Sequence, residues 1–164
     1  TGTASVPACD LDGAFDLDVG FYAADPWEDQ LTIRLQRGGD YAIDTDGVAI
    51  TVLDATTESM RLGTPIALSP GDASPVTMTL YLNYTCPSMR DDLPVFLEAV
   101  EGTLTFDALY APEVDDTDRE IRGHFEDVRF TDTDPPADGQ TREVILSGEF
   151  SFLFERGRPA QPFP

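Results

Sequence analysis

The side chains able to do chemistry are few in kind and crowded in place. His124 is the only histidine in the 164 residues. It sits between Gly123 and Phe125, and any histidine-dependent triad would have to use it. No G-x-S-x-G turn or comparable nucleophile motif accompanies it. Its parity puts it beside Arg122 on a solvent face. Lysine is absent, which removes Schiff-base and phosphate-loop chemistry. One histidine cannot build a His-rich zinc site. No catalytic residue is assigned, and the expectation is a protein without enzymatic activity.

Carboxylates are the opposite case, with 31 Asp and Glu against 10 bases, all arginine, for a net charge of -21. Abundance alone makes any pair of carboxylates uninformative about glycoside hydrolysis. Calcium chemistry is more selective, because it needs several oxygens converging on one ion. The stretch CDLDGAFDLDVGF (9–21) starts like a calcium loop. With Gly13 at position 6 of an EF-hand loop, Asp10, Asp12 and Asp16 fall on ligand positions, but the first and twelfth positions become Ala8 and Val19. Both ends fail, so the acidic row reads as the solvent face of a strand. A further acidic cluster is Asp44-Thr45-Asp46-Gly47. Loops fold carboxylates around an ion more easily, which makes Asp115, Asp116, Asp118, Asp132 and Asp134 the candidate calcium ligands. No cofactor is required, and calcium is the one candidate ion.

Two aromatic residues could contact a ligand. Trp27 lies in a polar turn, ADPWEDQ, where its ring could stack on a sugar. Tyr81 falls on the outward parity of its strand and could join a shallow binding platform. Asn83-Tyr84-Thr85 also matches a glycosylation acceptor triplet.

The elements that must position these residues read almost entirely as strands. Thirteen Gly and thirteen Pro punctuate segments of period-two alternation. One runs from Leu11 to Phe21 on odd positions, and Leu31, Ile33 and Leu35 follow. Turns at 37–40 and at Asp46-Gly47 flank Tyr41 and Ile43, before Val48, Ile50 and Val52. Val76, Met78, Leu80, Leu82, Tyr84 and Cys86 share a face. Three later strands carry Leu104 and Phe106, then Ile121 and Phe125, then Val144 to Phe154. A parity change between Phe125 and Val128 predicts a bulge at Glu126-Asp127. The sole helix expected is short, within 90–100. The fold expected is all-β, an antiparallel β-sandwich of about 8–10 strands, immunoglobulin-like or jelly-roll-like. It forms a single domain over 1–164, with an extended N-terminal segment (1–8) and an extended C-terminal tail (157–164).

Cys9 and Cys86 both fall on inward parities, 77 residues apart, so a disulfide between strands is expected, and with it an exported location: periplasmic, cell-surface or extracellular. The acidic charge disfavours nucleic acid and anionic membranes as partners. No run reaches the ~18 to 20 apolar residues of a membrane span.

The phrases Gly102-Thr103-Leu104-Thr105-Phe106, Ile121-Arg122-Gly123-His124-Phe125 and Leu146-Ser147-Gly148-Glu149-Phe150-Ser151-Phe152 repeat a G-x-F or G-x-L-x-F strand. This meander resembles exported β-sandwich lipoproteins of GC-rich, myxobacterial-type bacteria, whose function is uncharacterised. The resemblance implies an envelope or secreted location and transfers no site residue. Three functional expectations stand together. The first is a non-catalytic envelope or extracellular module that binds a protein or glycan partner or forms part of a surface structure. The second is a carbohydrate-binding or carbohydrate-active domain. The third is a self-assembling subunit whose 1–8 or 157–164 segment adds to a neighbour's sheet edge.

Overall fold

The computed structural model describes residues 1–40, 43–71, 74–87, 96–113, 119–132 and 142–154. Ten strands form an all-β antiparallel sheet. They are β1 (Gly2–Val6), β2 (Leu11–Phe15), β3 (Phe21–Trp27), β4 (Gln30–Gln36), β5 (Asp46–Val52), β6 (Ile66–Ala67), β7 (Val76–Leu82), β8 (Phe96–Ala108), β9 (Glu120–Thr131) and β10 (Glu143–Leu153). One short helix, α1 (Ala55–Ser59), follows β5. The hydrogen-bonded order is β2-β1-β10-β9-β8-β7-β5-β4-β3, and β6 pairs with β8 beside this path. One continuous path, rather than a division into two separate sheets, organises the described strands.

The connectivity forces that path to curl. Its two edges, β2 and β3, are consecutive in the chain and joined by residues 16–20. Laid flat, nine strands would separate these edges by about 38 Å. The link from Phe15 to Phe21 reaches only about 21 Å when fully extended. The sheet therefore bends into a half-barrel, and the Tyr22 ring of β3 comes to lie 5.6 Å from that of Phe152 on β10. Inward-facing residues such as Leu31, Ile33, Val48, Ile50, Leu80, Leu97, Ile121 and Phe130 fill one buried core.

A disulfide joins Cys9 to Cys86, with Cα atoms 5.2 Å apart. It ties the turn Pro7–Cys9, between the first two strands, to the turn that follows β7, rather than bridging two strands as expected. In the loop-entropy account, closing a 77-residue interval is worth about 4.5 kcal/mol.

The glycine–phenylalanine phrases pair with each other. Gly123 faces Phe150 and Phe125 faces Gly148 across β9 and β10. Phe106 of β8 faces Gly123 from the other side, and its ring meets that of Phe150 edge-on at 6.2 Å. A β-carbon at Gly123 would approach the Thr105 carbonyl oxygen to 2.5 Å. The glycine lets two phenylalanines meet over one backbone position.

The predicted bulge is present. Asp127 has φ 49°, and both ladders of β9 shift register beside residues 126–127. Other expectations need correction. Residues 9–21 do not form one strand: Asp10 (φ 52°) and Asp18 (φ 51°) adopt left-handed backbone, and the Asp16 carboxylate accepts from the Asp18 amide at 3.2 Å. The Asp10 turn leads into β2, and the turn at Asp16–Asp18 follows it and carries the chain to the opposite edge, while Phe15 and Leu17 stay buried. Asp46 and Gly47 open β5 rather than forming a turn. Ile43 lies in the preceding turn, and Tyr41 lies outside the described residues. Within the stretch expected to be helical, 96–100 belongs to β8. The helix lies instead at α1, where the Asp54 side chain accepts from the Thr57 amide at 2.7 Å and caps its start. The expected N-terminal segment 1–8 contains β1, paired to β2 on one side and β10 on the other. It has no open edge to offer a neighbour. The tail 157–164 lies outside the described residues.

Candidate functional site

Trp27 and Tyr81 meet opposite fates. Trp27 ends β3, where it pairs with Gln30, and it is 72% exposed. Tyr81 does project to the outer side of its strand, yet only 2% of it is exposed. Its ring lies over Gly47 of β5, and its hydroxyl donates to Gln36 Oε1 at 3.0 Å. Gln36 is itself buried and donates to the Gly39 carbonyl at 2.9 Å. Tyr81 therefore fills a gap above a glycine and offers no platform. Asn83 of the glycosylation triplet is 1% exposed, which closes it to modification in the folded protein.

Among the described residues, several acidic side chains serve as hydrogen-bond acceptors for turns. The Asp46 carboxylate is buried and accepts from the Tyr84 and Thr85 amides, each at 3.0 Å, and from the Thr85 hydroxyl. This fixes the turn that delivers Cys86 to its disulfide. Asp44 accepts from the Asp40 amide at 2.8 Å. Asp29 accepts from the Thr56 amide and hydroxyl. Hydrogen bonds from the Thr57 hydroxyl and amide lower the pKa of the Asp54 carboxyl below its ordinary 3.8. Asp132, a candidate calcium ligand, takes the Arg142 guanidinium at 3.0 Å. The other four, Asp115, Asp116, Asp118 and Asp134, lie outside the described residues. Among the described residues no three metal-binding side chains converge.

Polar side chains from several strands do meet in a cleft of about 490 Å³, within the range of small-ligand sites. Tyr22 of β3, Asp107 of β8, Arg122, Gly123 and His124 of β9, and Glu149, Phe150 and Ser151 of β10 line it. Antiparallel register explains the grouping. His124 lies opposite Thr105 on one side and Glu149 on the other. A register shift between Phe106 and Ala108 marks Asp107 as the extra residue of a bulge. Its carboxylate stands 3.5 Å from His124 Nδ1, and both side chains are about two-fifths exposed. Arg122 donates to Glu120 at 2.7 Å. The curl of the sheet supplies Tyr22, which a flat sheet would leave about 29 Å from β10.

A histidine beside a carboxylate supplies two of the three members of a nucleophilic triad. The remaining hydroxyl is turned elsewhere: Ser151 Oγ lies 3.5 Å from Glu120 Oε1. The cleft presents an imidazole, carboxylates and a guanidinium beside an aromatic ring. Those groups could hydrogen-bond to and stack against a polar ligand. Sequence parity had already set His124 and Arg122 on one face. Pairing the Gly-x-Phe phrases antiparallel would have added Glu149. Asp107 and Tyr22 carried no such signal, because one depends on a bulge and the other on the closing curl.

No helix among the described residues is long and apolar enough to cross a membrane. No protein-family model, curated protein or solved structure matches the chain.

Proposed function

We propose that the protein is an exported, non-catalytic module of the cell envelope or extracellular space that binds a protein or glycan partner. The observation that carries this reading is the setting of His124. It stands 3.5 Å from the Asp107 carboxylate within an open cleft, while the nearby Ser151 hydroxyl faces Glu120. Groups so placed recognise a ligand without attacking it.

Export rests on the Cys9–Cys86 disulfide, a bond that persists in oxidising compartments. The resemblance of the Gly-x-Phe strands to envelope lipoproteins points the same way. We read the curl as sandwich-like, with β3, β4, β5 and β7 packing over β1, β10 and β9. Thiol alkylation of protein recovered from its native source tests the location. Export predicts that both cysteines react only after reduction; reactive thiols in the freshly isolated protein would overturn it.

One observation favours a glycan over a protein as the ligand. Tyr22 borders the same cleft as Asp107, Arg122, His124 and Glu149. An aromatic face beside several planar polar groups matches a sugar, which presents C–H bonds on one side and hydroxyls around its rim.

A further inference from the structure

Eight large apolar side chains are exposed among the described residues, and four of them lie on segments that meet at one end of the half-barrel: Trp27 (72%), Leu53 (43%), Met60 (78%) and Leu62 (45%). Trp27 pairs with Gln30 at the tip of the β3–β4 hairpin. Leu31 pairs with Val52, so Gln30 and Leu53 follow as the next position of that ladder. Leu31 and Val52 are buried, and alternation sends Trp27 and Leu53 to the other side. The chain then docks α1 on the hairpin tip: the Ala55 amide donates to the Asp29 carbonyl at 2.8 Å, and the Asp29 carboxylate takes Thr56. Met60 and Leu62 follow at once, and the Gly63 amide, bonded to the Phe106 carbonyl at 2.8 Å, anchors the segment to β8.

Carboxylates accompany this apolar end. Asp25 and Glu28 are exposed beside Trp27, and Asp54 is partly exposed beside Leu53. The nearby base, Arg61, is bonded to Glu58 at 3.0 Å. We infer that this end is a docking surface for a segment of a partner polypeptide that carries apolar side chains among arginines or lysines. The apolar centre loses water on contact, and the acidic rim selects the charge of what approaches. A second copy of this chain, at -21, and an anionic lipid surface both carry the wrong sign. The surface shares no lining residue with the cleft at His124, so variants can remove either without touching the other.

Trp27 is the only tryptophan, which makes its emission a reporter of this surface. The whole protein is titrated with a synthetic peptide alternating leucine and lysine, and with its leucine–glutamate counterpart, at about 0.05 M and about 0.5 M salt. The expected result is a saturable blue shift with the lysine peptide, weaker at high salt. The variant Met60→Ser/Leu62→Ser, its fold checked by circular dichroism, should bind at least about tenfold more weakly. Several results would overturn the inference: no shift, equal affinity for the variant, equal response to the glutamate peptide, a shift from protein concentration alone, or a shift only with phosphatidylglycerol vesicles.

Discussion

The ring of Tyr81 lies over Gly47, its partner on the neighbouring strand, so closely that a β-carbon at position 47 would stand 2.3 Å from the phenolic oxygen. The same hydroxyl bonds Gln36 from within the structure. Tyr81→Phe removes that donor and leaves a buried amide oxygen short of a partner, at a cost of about 1–3 kcal/mol. Gly47→Ala should cost at least as much, because the ring must move. Urea unfolding of both variants measures this. A Gly47→Ala variant as stable as the parent would show that Tyr81 is not seated there.

The paired phenylalanines make a graded prediction. At Gly123 an added methyl meets backbone, the Thr105 carbonyl at 2.5 Å, whereas at Gly148 it meets the edge of the Phe125 ring at 3.0 Å. A ring edge can yield and a paired strand cannot. Gly123→Ala should lower stability by about 1–3 kcal/mol, and Gly148→Ala by less. Thermal or urea denaturation that ranks them the other way would contradict the register of β8, β9 and β10.

Asp54 gives a pH signature. Its folded pKa lies below the ordinary 3.8 because the Thr57 hydroxyl and amide stabilise the carboxylate. A depressed carboxyl contributes stability above its unfolded pKa and loses it as pH falls through the folded value. Asp54→Ala should therefore melt below the parent at pH 6, and the gap should narrow as pH drops beneath 3.8. A gap constant across that window would show that the cap does not titrate.

The net charge of -21 predicts a response to salt. Two like charges about 10 Å apart in water repel by roughly 0.4 kcal/mol, and added salt screens them. The melting temperature should rise when sodium chloride is increased from about 0.02 to about 0.5 M. Of the candidate calcium ligands, Asp132 is already held by Arg142 at 3.0 Å, and a melt with and without EDTA at fixed ionic strength tests whether the set binds an ion. A drop with EDTA, restored by calcium, would assign an ion to the acidic loops.

Alternation in the sequence was enough to reveal most of the strands and the bulge at Glu126-Asp127, because burial on one face imposes a period of two wherever the backbone stays extended; Cys9 and Cys86 do pair, but from turns rather than from the strand positions their parity suggested. It misled where polar residues turn the chain. Asp10 and Asp18 sit in an otherwise regular pattern, and only their left-handed backbone shows that the run is broken. Tyr81 was misplaced because its parity is outward while Gly47 leaves a hollow there to be filled. The cleft was half legible. His124 and Arg122 share a strand face, whereas Tyr22 arrives only because residues 16–20 pull one edge of the sheet toward the other.

Binding without turnover at the cleft is the central claim. The most direct measurement incubates the protein with a panel of oligosaccharides, following contact by saturation-transfer NMR and the sugars themselves by mass spectrometry. The account predicts saturable contact that is weakened in His124→Ala and Asp107→Asn, with every oligosaccharide recovered intact. Cleavage products that appear with the parent protein and vanish with His124→Ala would contradict it.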